Sequence, residues 1–159
     1  MTTARNSRVL RTIPLLIAFC LVSMPAQAQY GGGTGEPNNP YQIATAEDLN
    51  DIGNHEEDWD KCFILVNDID LSAYTGTQFN VIGRWFGLGH PDNKAFRGVF
   101  DGDGKVIRNF TWSSVDRDMV ALFAFLGRNA NGPTVKNLGL ENVNIRAEDG
   151  AYIGALVAQ

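Results

Sequence analysis

The sequence predicts a mainly β protein built as a β-solenoid, in which short strands stack in successive coils. Short runs of alternating apolar residues recur along the chain, and most are bounded by Gly, Asp or Asn, which favour tight corners. The runs also resemble one another: Asn109 recurs as Asn137, and Leu122 recurs as Ile153. A spacing of roughly 30 residues is typical of solenoids, whose units cannot bury their apolar faces alone.

The segment 1–28 has the features of a Sec-type signal peptide. Three arginines precede an apolar run at 13–22, and Ala26-Gln-Ala28 fits a small-residue cleavage site. The run is shorter than the ~20 residues of a membrane-spanning helix, and no later stretch approaches that length. We therefore expect cleavage near Ala28, a mature chain without a transmembrane segment, and a secreted, extracellular or cell-envelope location.

The charge of the chain bears on which partners it can bind, and its cysteine content bears on whether a disulfide can stabilise it. Without Arg5, Arg8 and Arg11, the chain keeps 10 basic and 18 acidic residues, a net charge of −8. Nucleic acid is not an expected partner of so acidic a chain. Cys62 is the one cysteine that follows the predicted leader, so no intrachain disulfide is expected.

The mature chain is predicted to begin with a Gly/Pro/Asn-rich segment, 29–40, and to continue as a solenoid domain, 41–159. After a short strand at 41–43 we expect one amphipathic helix. Thr45 is placed to cap it, with Asp48 completing a capping box, and Gly53 is expected to end it. The helix would cover the first coil, because an uncovered edge exposes unpaired backbone groups.

The remaining sequence is predicted to form short strands separated by corners. They lie at 61–71 in two pieces, 79–82, 96–100, 106–112, 120–126, 134–145 in two pieces, and 152–157. An irregular excursion, 84–95, interrupts them. Because Gln159 directly follows a strand, we expect an incomplete last coil that is open to self-association or to a partner.

Four segments carry a resemblance to a known family. They are Gly33-Thr-Gly-Glu-Pro-Asn-Asn-Pro-Tyr-Gln-Ile43, Val66-Asn-Asp-Ile-Asp-Leu71, Phe96-Arg-Gly-Val-Phe-Asp-Gly-Asp-Gly104 and Tyr152-Ile-Gly-Ala-Leu-Val157. In this order they resemble secreted bacterial proteins that carry GLUG-type repeats. The resemblance implies a right-handed parallel β-helix at the cell surface or outside the cell, in some members within adhesins and large peptidases. It supplies no catalytic residues.

Asp101 and Asp103 lie on a predicted corner, where two carboxylates could hold Ca²⁺ if further oxygens converged. The competing interpretation is an ordinary tight turn, because Asp and Gly are common turn residues. The run also lacks a third ligand at calcium-loop spacing and the distal Glu. We favour the turn, and we expect no cofactor.

Asp68 and Asp70 share one face of a predicted strand and could meet Asp101 or Asp103 on a neighbouring coil. Such a carboxylate cluster could cleave a glycosidic bond, which needs an acid and a base or nucleophile at a fixed separation. The alternative is that these acids are solvated and keep the strand edges from sticking to other chains. The sequence favours the second interpretation.

The excursion carries Trp85, Phe86 and His90, which could form an aromatic platform for a sugar ring or a protein partner. The favoured alternative is that Trp85 and Phe86 fold back over the coil, because exposed aromatic patches are uncommon on soluble monomers.

Two functions remain open at this point. The leading one is a structural or adhesive module that recognises an extracellular glycan or a surface protein through an extended side face. The second is a carbohydrate-active β-helix enzyme, a polysaccharide lyase or glycoside hydrolase, or a fragment of one. We favour the first, because no catalytic constellation is visible in the sequence.

Overall fold

The computed structural model describes residues 29–115, 119–127, 132–148 and 152–159. These residues are mainly β, as predicted, with one α-helix, α1 at Ala46–Asn54, and one 3₁₀ turn at Glu56–Asp58. The strands are β1 Tyr41–Ile43, β2 Cys62–Leu65, β3 Ile69–Asp70, β4 Val99–Asp101, β5 Val106–Arg108, β6 Thr111–Ser114, β7 Met119–Val120, β8 Thr134–Lys136, β9 Gly139–Glu141, β10 Asn144–Ala147 and β11 Tyr152–Ile153. The predicted signal peptide lies outside the described residues.

All pairing between these strands is parallel. One sheet has the order β1-β2-β4-β8 and a second has the order β3-β5-β9, while β6 pairs with β10 and β7 pairs with β11. Parallel neighbours need long crossover connections. The connection from β1 to β2 contains α1 and the 3₁₀ turn, whereas those from β2 to β4 and from β4 to β8 pass through strands of the other short sheets. From β2 onward, successive lengths of the chain, which we call passages, add strands to more than one sheet in turn.

The strand register corrects the predicted repeat. Ile107 pairs with Leu140, and Val120 pairs with Ile153, so the two pairs share one offset. In that register Asn109 corresponds to Asn142, not to Asn137, and Ile153 corresponds to Val120, not to Leu122, so both predicted matches are wrong.

The wrong match has a local cause. Asn109 and Asn137 look alike in the sequence because both occupy left-handed corners, with φ of 59° and 53°. They lie on different corners, since Asn109 follows β5 and Asn137 follows β8. Because an Asn with positive φ occupies both corners, the residue type alone does not show which corners are equivalent.

The predicted helix is confirmed, together with its capping box. The Thr45 side chain accepts a hydrogen bond from the Asp48 backbone N–H, and the Asp48 carboxylate accepts one from the Thr45 N–H. The helix does not end at Gly53 but continues through Asn54. Glycine is required at position 53 because the helix lies very close to the backbone of Asn80: a Cβ at this position would lie 2.1 Å from the Asn80 carbonyl oxygen. Across the described ranges, no helix is long and apolar enough to cross a bilayer.

Several predicted strands are shorter than expected, or absent. The segment 79–82 is not a strand, and Ile82 makes only an isolated parallel bridge to Phe123. The segment 106–112 divides into β5 and β6 at Asn109, whose positive φ is incompatible with a continuous strand. The segment 134–145 contains three strands, β8 to β10, for the same reason: Asn137 and Asn142 both have positive φ.

The apolar core lies between the sheets and is rich in phenylalanine. Phe123 contacts Phe96 and Phe100, with ring centroids 5.2 and 5.3 Å apart, and Phe100 stacks on Phe63. Helix α1 adds Leu49 and Ile52 to this core, and both are fully buried. The helix also accepts hydrogen bonds from the Trp59 indole, at 2.7 Å to the Ile52 carbonyl, and from the Asn80 N–H, at 2.8 Å to the Asn50 side chain. That it covers the first coil stays a prediction.

The N-terminal segment is held against the same end of the core. Asp58, which is buried, accepts hydrogen bonds from the Gln29 side chain at 2.6 Å and from the Tyr30 hydroxyl at 3.1 Å. The Gly31 N–H donates to the Gln42 carbonyl, and the Gln42 N–H donates to the Gly32 carbonyl. These hydrogen bonds hold the irregular backbone of residues 29–32 in place.

Candidate functional site

The first candidate acid, Asp68, directly precedes β3 and belongs to a row of alternating charges that continues on β5 and β9. One carboxylate oxygen accepts from the Val106 backbone N–H at 2.9 Å, and the other lies 3.0 Å from the Arg108 guanidinium. Arg108 also donates to Glu141 at 2.8 Å. We call Asp68, Arg108 and Glu141 the charge ladder. The Val106 N–H, followed by Arg108, holds the pKa of Asp68 below its usual value.

Asp70 begins a second row along the corner that follows β3, β5 and β9. Its carboxylate accepts from the Asn109 side-chain amide at 2.8 Å and from the Ser72 N–H at 2.9 Å. The Asn142 amide donates in turn to the Asn109 side-chain oxygen. We call Asp70, Asn109 and Asn142 the corner ladder. The Asn109 hydrogen bond is the main reason that the pKa of Asp70 is lowered.

Asp101 and Asp103 form the tight turn that the sequence favoured. The Asp101 carboxylate accepts from the Asp103 N–H and from the Asn137 amide, each at 3.0 Å, and it lies 3.0 Å from the Lys136 ammonium. The Asp103 carboxylate pairs with Lys105 at 3.3 Å. The Asp103 N–H is the largest cause of the lowered pKa of Asp101. Through Lys136 and Asn137, Asp101 joins the end of β4 to the end of β8, just as the corner ladder joins the ends of β3, β5 and β9.

These contacts limit the chemistry available to the four acids. A general acid must hold a proton near working pH, so its pKa must be raised, whereas Asp68, Asp70 and Asp101 all have lowered pKa values. Each of the four carboxylates is also held by neighbouring amides or cations. In the described part of the chain, no group of three or more His, Cys, Asp or Glu residues is placed to share a metal ion. The arrangement is suited to joining one passage of the chain to the next.

The ladders predict a dependence of stability on pH. A carboxylate whose pKa is lower in the folded than in the unfolded chain stabilises the fold above its unfolded pKa, about 3.9 for Asp. That stabilisation is lost as the pH falls through the folded pKa. We expect the free energy of unfolding, measured by urea denaturation from pH 6 downward, to fall below about pH 4, and to fall less steeply in Asp70→Asn.

Asp92→Asn is the control for this experiment, because Asp92 is exposed and lies outside both ladders. It removes one carboxylate without breaking a contact between neighbouring passages. An Asp70→Asn profile identical to that of the wild type would contradict the assignment of the corner ladder as a source of stability.

The predicted excursion is a hairpin-like loop, which we call the side loop, residues 84–94. Its neck is closed by two backbone hydrogen bonds between Arg84 and Lys94, of 2.7 and 3.0 Å. Inside the loop, the Asn93 side chain accepts from the Phe86 N–H at 2.6 Å and donates to the Gly87 carbonyl at 2.7 Å. These contacts give the loop a defined shape.

The three aromatic residues of the excursion do not form a common platform. Trp85 folds back onto Phe125, with ring centroids 4.9 Å apart, as the favoured interpretation expected. Phe86 instead points outward, 59% exposed, beside His90 at 5.1 Å. Leu88 stands at the tip and is 96% exposed. Sequence reasoning missed Leu88, although its position between two glycines was a sign of a projecting turn.

Ion pairs fasten the side loop to the scaffold. Glu56, on the 3₁₀ turn, pairs with Arg84 and lies 3.9 Å from the Lys94 ammonium. A cleft of about 130 Å³ lies at this junction. Its lining combines both signs of charge around one aromatic side chain: Glu56, Glu57, Trp59, Asp60, Lys94, Ala95 and Arg97. The sequence did not predict this cleft, because the two lining segments, 56–60 and 94–97, are far apart in the chain.

Comparisons with known proteins place the chain among much longer proteins. It is 34% identical over 128 residues to a protein named as a Gly-rich membrane protein in Evansella cellulosilytica, covering 80% of this chain and 14% of that protein. It is 29% identical over 113 residues to halomucin of Haloquadratum walsbyi, covering 71% of this chain and 1% of halomucin. No family model matches the chain. No solved structure matches it either.

Proposed function

We propose that this protein is a secreted or cell-surface β-solenoid module, a right-handed parallel β-helix of the GLUG-repeat type. It acts as a structural and adhesive scaffold that binds a surface protein through the side loop. The observation that carries this proposal is the pair of exposed apolar side chains, Phe86 and Leu88, at the tip of a loop with a fixed neck.

Strand pairing supports the solenoid. The last pairing in three of the four sheets has one common offset along the chain, and the pairing of β4 with β8 has a slightly longer one. A shared offset is what a chain produces when it turns through the same set of short sheets once per coil. The ladders of Asp and Asn at the corners serve the same architecture, because they satisfy side-chain hydrogen bonds between one coil and the next.

The location rests on the predicted leader and on the relatives. One relative is named as a Gly-rich membrane protein and the other as halomucin. A module that recurs as a small part of proteins with such names fits a surface role. The predicted leader provides the export that this role requires.

The chemistry of the loop tip favours a protein over a glycan as the partner. Leu88 is apolar and almost fully exposed, and Phe86 contributes a second apolar surface beside the single His90 ring. Sites for polar ligands converge several hydrogen-bonding groups on the bound molecule. Hot spots in protein interfaces are instead apolar or aromatic anchors that enter a recess on the partner. A rigid loop presents such anchors at little cost in conformational entropy.

The enzyme alternative receives less support. Its candidate acids, Asp68, Asp70, Asp101 and Asp103, are held in contacts with Asn, Lys, Arg and backbone N–H groups. Those contacts lower the pKa of the first three, which opposes the role of proton donor.

The test is binding of the exported protein to cells of its source organism, with the variant Phe86→Ser/Leu88→Ser. We expect the double variant to bind about thirtyfold more weakly or worse, because two anchors of at least about 1 kcal/mol each are lost. Val115→Ser is the matched control, since Val115 is 55% exposed but lies outside the side loop, and it should bind like the wild type.

Treatment of the cells identifies the class of partner. Protease treatment should abolish binding, whereas periodate oxidation of surface sugars should leave it intact. The reverse pattern would assign a glycan and overturn the protein partner. Unchanged binding by the double variant would overturn the side loop as the binding surface.

A further inference from the structure

The 3₁₀ turn ends on Asp58, a buried carboxylate with no counter-ion among the described residues. Asp58 is 6% exposed and is the one buried charged side chain in the described ranges. None of the ion pairs formed within those ranges includes it. The Gln29 amide and the Tyr30 hydroxyl, which donate to it at 2.6 and 3.1 Å, are neutral groups. Because a buried carboxylate is costly without an opposite charge, Asp58 lacks the partner that its position requires.

Two tyrosines lie beside Asp58 without supplying a positive charge. The Tyr30 ring contacts the Tyr41 ring, with centroids 4.9 Å apart, and the Phe63 ring, at 5.7 Å. Burial, followed by the negative charge of Asp58, raises the pKa of both Tyr30 and Tyr41. Both phenols therefore keep their protons. They can donate hydrogen bonds to the carboxylate, but they cannot neutralise it.

The basic side chains nearest to Asp58 in the sequence are already paired with other acids. The Lys61 ammonium lies 3.4 Å from the Glu36 carboxylate. The His55 ring nitrogen lies 3.0 Å from the Glu57 carboxylate. A positive charge for Asp58 must therefore come from another group.

Processing of the predicted leader creates such a charge beside Asp58. Cleavage after Ala28 hydrolyses the peptide bond to Gln29: water supplies a hydroxyl to the Ala28 carbonyl and a proton to the Gln29 nitrogen. The new α-amine has a reference pKa of about 7.7–8.0 and is an ammonium at neutral pH. Because the Gln29 side chain already contacts Asp58, the new charge arises on a residue that this carboxylate holds.

We propose that Asp58 is the binding site for the α-ammonium group that leader cleavage creates at Gln29. The ion pair fastens the first residues of the mature chain to the 3₁₀ turn, so the fold reaches its full stability only after the leader is removed. The same turn holds the neck of the side loop through Glu56. This inference rests on the export that the proposed function requires, but not on what the side loop binds.

The intact mass of the exported protein is the first measurement. We expect a chain that begins at Gln29 and keeps its side-chain amide. A chain that begins at another residue would overturn the proposal. A mass short by one ammonia would do so too, because cyclisation of Gln29 consumes the α-amine. Neither result bears on binding by the side loop, so failure of this proposal is distinguishable from failure of the proposed function.

Stability then tests the ion pair directly. The chain that begins at Gln29 is compared with one that begins at Ala26, in which the segment 26–28 carries the ammonium away from Asp58. We expect the extension to raise the unfolding equilibrium constant about tenfold or more at about pH 6, measured by urea denaturation. It should have no effect in Asp58→Asn, which keeps the shape of the side chain and removes its charge. It should keep its full effect in Asp92→Asn, the matched control at an exposed acid. An extension that leaves the wild type unchanged, or that acts equally in Asp58→Asn, contradicts the proposal.

The dependence on pH is a second measurement that needs no substitution. Pairing with Asp58 raises the pKa of the α-ammonium in the folded chain above its unfolded value of about 7.7. The stability difference between the two chains should be complete at about pH 6 and should vanish as the pH rises through the folded pKa. The other titratable groups near the pair are present in both chains, so their titration cancels in the difference: Tyr30, Tyr41, His55, Glu36, Glu57 and Lys61. A difference that persists unchanged at high pH would belong to the extension itself and would refute the ion pair.

Discussion

Replacing Phe123 with alanine is expected to lower the free energy of unfolding by about 3–5 kcal/mol. Phe123 is fully buried and contacts both Phe96 and Phe100. It also makes parallel bridges to Ile82 on one side and Val157 on the other, so it joins three successive passages of the chain. Truncation removes its buried area and leaves a cavity that surrounding rings can fill only in part.

Phe86→Ala is the matched control for this prediction. It makes the same chemical change at a ring that is 59% exposed, and it should alter the free energy of unfolding by no more than about 0.5 kcal/mol. Urea denaturation of both variants, followed by tryptophan fluorescence, measures the difference. Equal effects of the two substitutions would mean that the phenylalanine cluster is not the centre of the core.

Gly98→Ala should have the second largest effect, a loss of about 2–3 kcal/mol. A Cβ at this buried position would lie 2.0 Å from the Lys61 carbonyl oxygen. That oxygen also accepts the Val99 N–H at 3.0 Å, which is the hydrogen bond that starts the pairing of β4 with β2. The two strands must separate to admit the methyl group, because backbone atoms cannot turn aside as a side chain does.

Gly139→Ala distinguishes this backbone clash from a general cost of replacing glycine in a strand. Its added Cβ would first meet a Val106 methyl group at 3.0 Å, and the next atoms lie 3.7 Å away. We expect a change of less than about 1 kcal/mol, since a side chain can shift slightly. If thermal unfolding shows the same shift for both alanine variants, close approach of the backbone is not the reason for glycine at 98.

The sequence by itself determined the β character of this protein, the position of α1 and its capping box, and the turn at Asp101. These features depend on neighbouring residues: alternation sets the strands, Thr45 and Asp48 together cap one helix turn, and Asp with Gly favours a corner. The interpretation of Asp68 and Asp70 as outward-facing acids also follows from local alternation.

Only the tertiary structure decided the register, the partners of the acids and the orientation of the loop aromatics. Asn109 pairs with Asn142 rather than matching Asn137, because equivalent corners meet only once complete passages of the chain are stacked. Trp85 and Phe86 are adjacent in sequence, yet one packs on Phe125 and the other points outward. The physical reason is that each outcome depends on contacts between segments far apart in the chain, whose proximity is created by folding and leaves no local pattern.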